Sequence, residues 1–153
     1  MANTFTSLTY HIVFSTKGRR TLITDETATE LYKYVAGIIR EHDGQPLEIN
    51  GVQDHIHILT GIPPTIAVSD MVRLIKSNSS KWFNENHAGR FGWQTGYAAF
   101  TVSQSQQNAV RTYVRNQHEH HQSMTFREEY LAFLRKHQIR FDVQYVFDEE
   151  HVA

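Results

Sequence analysis

Cysteine is absent from the chain, which excludes disulfides and thiolate metal sites and leaves nitrogen and oxygen as the only ligands for any metal ion. Long apolar runs are absent too. No stretch nears the roughly 18 uninterrupted apolar residues of a membrane span, and the polar start Met1-Ala2-Asn3-Thr4 carries no signal-peptide pattern. The expected location is therefore cytoplasmic, with no membrane partner. An excess of positive charge is also missing: fifteen Lys and Arg face sixteen Asp and Glu for a net charge of −1, which argues against a protein that coats nucleic acid through bulk charge. Internal repeats, low-complexity tracts and linkers are lacking as well. With 153 residues, 40% of them hydrophobic, the chain suits one cooperative domain over residues 1–153.

What is present is histidine, ten of them, and charge gathered in places. Basic residues cluster at Lys17, Arg19 and Arg20, at Arg73, Lys76 and Lys81, and at Arg111 and Arg115. Acids concentrate at Asp25, Glu26 and Glu30 and in the tail Asp148-Glu149-Glu150. This distribution permits a local phosphate-binding face; ordinary mixed solvent surface is the competing reading.

Residues 8–15 form a β-branched and aromatic run in which Tyr10, Ile12 and Phe14 alternate with His11 and Val13, a strand pattern closed by Lys17-Gly18-Arg19-Arg20. Thr24 then caps a helix with Asp25 and Glu26 in its first turn and Leu31, Val35, Ile38 and Ile39 at helical spacing, stopped at Asp43-Gly44. Residues 47–52 and His55–Gly61 read as a hairpin about Gln53-Asp54. A second helix is expected over residues 69–86 and a fourth strand over 97–103. Ser105 is the expected cap of a third helix running through Tyr113 to about His121. Thr125 and Glu128 make a capping box for a short C-terminal helical extension from about residue 125, carrying Tyr130, Phe133 and Leu134. The order strand, helix, strand, strand, helix, strand predicts an α+β, ferredoxin-like (RRM-like) sandwich: a four-stranded antiparallel sheet with helices on one face and the tyrosine helix on the other.

In an extended strand His55 and His57 point to one face, and Ile56 and Ile58 to the other. Two imidazoles one pleat apart can hold a metal ion if a third ligand fixes it; plain polarity on an exposed sheet face is the alternative. On the third helix Tyr113 and Gln117, four apart, are neighbours. A phenolate can attack a phosphodiester while a nearby ion polarises its oxygens; a core aromatic beside Val110 and Val114 is the other reading of Tyr113. Downstream, in the cluster His118-Glu119-His120-His121, His120 and His121 could face the same site, or the cluster could simply end a solvated helix.

Taken in order, these segments resemble the single-tyrosine HUH transposases of the insertion-sequence 200/605 type, including REP-associated tyrosine transposases. The components are Tyr10-His11-Ile12-Val13-Phe14 leading to Lys17-Gly18-Arg19-Arg20; Asp54-His55-Ile56-His57-Ile58-Leu59; Ile75-Lys76-Ser77-Asn78-Ser79-Ser80; Trp93-Gln94-Thr95-Gly96-Tyr97; and Tyr113-Val114-Arg115-Asn116-Gln117. The resemblance spans residues 10–145. It implies His55, His57 and Gln117 as metal ligands, Tyr113 as nucleophile, and magnesium or manganese as the ion, manganese suiting the nitrogen ligands better. It implies cleavage and rejoining of single-stranded DNA at hairpin-marked ends through a 5′-phosphotyrosine. It further implies a homodimer whose composite sites pair Tyr113 of one chain with His55 and His57 of the other. Lys17, Arg19, Arg20, Lys76, Arg111 and Arg115 are the expected nucleic-acid contacts.

Three other readings compete. A non-catalytic single-stranded nucleic-acid-binding domain would use the sheet as a platform. A metal-dependent hydrolase using water would want more carboxylates. A host-retained relative would process palindromic repeats instead of moving an element.

Overall fold

The computed structural model describes residues 3–147. Four strands form one antiparallel sheet: β1 (Thr9–Ser15), β2 (Gln45–Val52), β3 (His55–Gly61) and β4 (Ala98–Thr101), in the order β2-β3-β1-β4. With α1 (Asp25–Glu41) between β1 and β2, and α2 (Val68–Asn86) between β3 and β4, this is the expected ferredoxin-like topology. No helix among the described residues is long and apolar enough to cross a membrane.

The strand pleat sorts the side chains into two cores. One face carries Ile12, Phe14, Ile56 and Ile58, which pack against Leu31, Val35, Ile38 and Ile39 of α1 and Met71, Val72, Ile75 and Phe83 of α2. The capping box of α1 forms between Thr24 and Thr27. Ser79 interrupts the apolar stripe of α2, yet it is fully buried: its hydroxyl donates to the Ile75 carbonyl at 2.5 Å and accepts from the Trp93 indole at 2.9 Å. Trp93 thereby closes the edge of this core over Phe14.

The second sheet face is covered as well. Val13, Ala98 and Phe100 point there and meet Phe126, Tyr130, Leu131 and Leu134 of α5 (Phe126–Lys136), with Phe147 beyond them. The C-terminal helix is thus the lid of a second core, and its Thr125–Glu128 capping box forms as expected.

The third helix departs from the sequence reading at both ends. Ser105 does not cap it; its hydroxyl meets that of Ser103 at 3.2 Å, a 3₁₀ turn occupies Gln104–Gln106, and α3 runs only over Gln107–Arg115. A break at Asn116 separates it from the single turn α4 (Gln117–His120). The physical reason lies on β2: the Asn50 amide donates to the carbonyls of Val114 (3.1 Å) and Arg115 (2.9 Å), providing partners that end the helix. The β2–β3 hairpin that carries Asn50 is itself tight. A side chain at Gly51 would put its Cβ 2.2 Å from the His55 carbonyl oxygen, so only glycine fits there.

Candidate metal and nucleophile site

His55 and His57 lie on the face of β3 opposite Ile56 and Ile58, as the pleat requires, but neither imidazole is open to solvent: both are 0% exposed. They share the inner space with His121, which follows α4, and Glu129 of α5, and one ligand atom from each of the four lies within 4.8 Å of all the others. The Nε2 atoms of His57 and His121 stand 3.0 Å from Glu129 Oε1, and that of His55 stands 3.3 Å away.

Each imidazole is anchored through its other nitrogen. His55 Nδ1 meets the Asp54 carboxylate at 2.7 Å, His57 Nδ1 meets His11 Nε2 at 2.8 Å, and His121 Nδ1 donates to the Met124 carbonyl at 2.7 Å. These acceptors allow the Nδ1 protons to be held outward, so that the three Nε2 atoms, which otherwise donate to Glu129, could turn their lone pairs to one ion beside that carboxylate. That is the arrangement by which a protein fixes the tautomer of metal-binding histidines. The donor set, three neutral nitrogens and one carboxylate, fits a divalent ion such as manganese.

Tyr113 stands at the other oxygen of the same carboxylate. Its hydroxyl donates to Glu129 Oε2 and also meets His120 Nε2 at 2.9 Å. Gln117, 0% exposed, places Oε1 3.2 Å from His55 Nε2, and its amide donates to the Tyr113 carbonyl at 3.2 Å.

Burial sets the electrostatics. It lowers His57 to about 4 despite the Glu129 carboxylate, and lowers His11 to about 3 with help from His57. For His55 burial also pulls downward, but Asp54 and Glu129 outweigh it and the pKa is raised. Burial and then the Glu129 contact push the Tyr113 phenol well above its ordinary value. Glu129 is desolvated, but hydrogen bonds from His121, His55 and His57 outweigh that penalty and hold it far below the usual carboxylate range.

Four of the site residues expected from sequence, His55, His57, Tyr113 and Gln117, therefore come together, all within one chain. Within one chain, the turn at Asn116 leaves Tyr113 beside Glu129 and beside His57 of its own sheet. The six basic residues stand in three places. Lys17 and Arg19 lie in a 3₁₀ turn after β1 and Arg20 caps it, with the Arg19 guanidinium 4.6 Å from the Phe147 ring centre. Lys76 donates to the carbonyls of Gln94, Thr95 and Gly96 and so holds the loop before β4. Arg111 and Arg115 approach Glu48 at 3.9 and 3.2 Å.

Sequence reasoning missed Glu129 and His11 and left His120 and His121 undecided. The signal for Glu129 was its spacing: a carboxylate three residues after Phe126 and four before Phe133 sits on the apolar stripe of its helix. His11 shows the same kind of signal, lying beside Ile12 and Val13 in a strand that is buried on both faces.

Comparison with known proteins finds transposases. The family model described as "Transposase IS200 like" matches residues 4–117. The ISDra2 transposase TnpA of Deinococcus radiodurans is 24% identical over 119 residues, covering 73% of this chain and 85% of that protein. The transposase for insertion sequence element IS200 of Salmonella typhimurium is 29% identical over 124 residues, covering 76% and 81%. Among solved structures, a candidate transposase from Deinococcus radiodurans R1 superposes with a TM-score of 0.61 at 25% identity, over 76% of this chain and 95% of that one. A REP-associated tyrosine transposase bound to a REP hairpin shares the fold, with a TM-score of 0.61 at 13% identity over 79% and 73%. The family match ends before His121 and Glu129.

Proposed function

Because the chain belongs to the IS200-like transposase family, we propose that it cuts and rejoins single-stranded DNA at hairpin-marked ends, with Tyr113 as the nucleophile and a 5′-phosphotyrosine as the covalent intermediate. One observation carries this reading: the Tyr113 hydroxyl is bonded to the same carboxylate, Glu129, that the Nε2 atoms of His57 and His121 face. A nucleophile one side chain away from a metal-competent cluster is what phosphodiester transfer requires.

The step balances as follows. The Tyr113 oxygen bonds to phosphorus, the bond from phosphorus to the 3′ oxygen breaks, and the departing oxygen takes up a proton. Burial keeps the phenol protonated at neutral pH, so its proton must leave during attack. Glu129 Oε2 holds the hydroxyl, and His120, partly exposed, is placed to carry the proton outward. Rejoining runs the same exchange backwards, a 3′ hydroxyl displacing the phenolate.

His55, His57, His121 and Glu129 would hold the ion, with Gln117 at the His55 edge. When bound, a magnesium or manganese ion supplies positive charge for the phosphate oxygens. We read the site as complete within one chain, so a homodimer, if it forms, is not needed to assemble it. Lys17, Arg19, Arg20, Arg111 and Arg115 remain proposed backbone contacts, whereas Lys76 acts through the loop it holds. The binding-only alternative wants a sheet face free for stacking bases, and here both faces are covered.

The test is adduct formation. Incubated with manganese and single-stranded hairpin DNA, the protein should form a denaturant-resistant covalent adduct, lost on chelation and lost in Tyr113→Phe. An adduct that survives in the Phe variant would assign the nucleophile elsewhere.

A further inference from the structure

The cleft beside Tyr113 has no role in the chemistry above. It has a volume of about 360 Å³ and is lined by Tyr113 and Glu129 together with residues of α3 and α5. Ala109 and Val110 of α3 and Ala132 and Phe133 of α5 supply apolar lining, and Gln106 and Lys136 are among its polar lining residues. Neither the Gln106 amide nor the Lys136 ammonium makes a side-chain hydrogen bond or ion pair with another described residue.

We propose that this cleft seats one unpaired nucleobase of the nucleotide next to the scissile phosphate. The inference rests on the transposase reading given above. Three features fix the occupant. Position comes first: phosphorus must reach the Tyr113 oxygen for attack, so a nucleoside attached to that phosphate arrives at the cleft that Tyr113 lines. Volume and lining come second. A cavity of this size with apolar walls and a few polar groups suits a small aromatic ligand, and Phe133, held edge-on to Tyr113 at 5.5 Å and stacked on Phe100, provides a fixed aromatic wall. Polarity comes third. The Gln106 amide offers a donor and an acceptor side by side, the pattern that reads a base edge, while the Lys136 ammonium suits a base carbonyl or the adjoining phosphate. A paired base cannot enter such a cleft with its partner attached, so the site selects single strands by shape.

Glu129, Ala132, Phe133 and Lys136 bring α5 into the lining of this cleft, beyond the part of the chain matched by the family model. Preference for one base beside the cut is therefore placed on an element outside the matched core.

The experiment uses the full chain and a set of single-stranded hairpin oligonucleotides, each with 2-aminopurine at one position, titrated with protein by fluorescence and then followed for adduct. Two variants accompany the native protein: Ala132→Trp, which fills the cleft from an exposed helix position, and Gln106→Ala, an exposed truncation that leaves the fold intact. One position beside the cut should change fluorescence on binding to the native chain and not to Ala132→Trp. Removing the base at that position should weaken binding of the native chain about tenfold, the scale of one base stacked on an aromatic wall, and should leave Ala132→Trp unaffected. Gln106→Ala should lose discrimination among the four bases at that position. A fluorescence profile identical in native and Ala132→Trp proteins, or base removal that costs both equally at every position, overturns the proposal. A strand that shows the position-specific change but is never cut leaves the cleft assigned and refutes the transposase reading.

Discussion

Tyr113 and Glu129 are sixteen residues apart and joined by a hydrogen bond from the phenol to carboxylate Oε2, while Oε1 of the same group faces three imidazole Nε2 atoms at 3.0–3.3 Å. One side chain therefore couples the proposed nucleophile to the metal-competent cluster, and any change to it is felt on both sides.

Glu129→Gln keeps the shape and removes the charge. Manganese affinity should fall about 10- to 100-fold, the range seen when a ligand or its supporting partner is altered, and adduct formation should fall with it. Gln117→Ala should weaken the ion less, since Gln117 approaches only His55. Isothermal titration with manganese measures both, and an unchanged dissociation constant in Glu129→Gln would remove that carboxylate from the ligand set.

Mixing chains tests where the site is built. Since Tyr113 meets the histidines of its own chain, co-refolded His55→Ala and Tyr113→Phe proteins should show no recovery of cleavage. Exchange of helices between two subunits would instead restore up to about half the activity of each mixed dimer if its sites act independently. Native mass spectrometry shows whether mixed dimers formed.

Asn50→Ala removes the two hydrogen bonds that end α3. A cost of about 1 kcal/mol in unfolding free energy is expected for one partly buried and one exposed backbone partner, read by chemical denaturation. The rate of adduct formation should drop more than manganese affinity does, because Asn50 fixes the turn between Tyr113 and Gln117 while His55 and His57 stay on their strand.

Stability of the protein in a chelator should fall as pH is lowered from about 6.5 toward 4. His57 and His11 are held near 4 and 3 in the fold against about 6.5 when unfolded. Their contribution is thus complete above 6.5 and is lost as pH falls through the folded values, at up to about 1.4 kcal/mol per pH unit for each proton taken up on unfolding. His55, raised in the fold, acts in the opposite sense, contributing below 6.5 and losing that contribution as pH rises through its folded value. His11→Gln keeps an acceptor for His57 and cannot titrate, so denaturation midpoints measured across this range should show a shallower slope.

The fold was legible in the sequence because its signals are periodic and local. The alternation through Ile12 and Phe14, the Thr24 cap, and the His55-Ile56-His57-Ile58 pleat each identify an element and its buried face without reference to anything distant. The break at Asn116 was not legible, because its cause is a side chain on β2, 64 residues before Val114. Glu129 was hidden for a related reason. In a helix that opens with a capping box, an acid in the first turn is already explained by the helix dipole, and only the sheet beneath shows that this one faces inward. The anchoring of His57 by His11 spans 46 residues and depends on strand pairing that no spacing rule displays.

The closure of the second sheet face by α5 ties chemistry to solubility. A chain ending soon after His121 would keep every residue matched by the family model and would still lack the cover over Val13, Ala98 and Phe100. Such a truncation would be expected to aggregate before it could be found inactive. Mutational drift is constrained in the same way: the helix that holds the carboxylate also shields the apolar face, so α5 cannot decay quietly even in a descendant that has lost its activity.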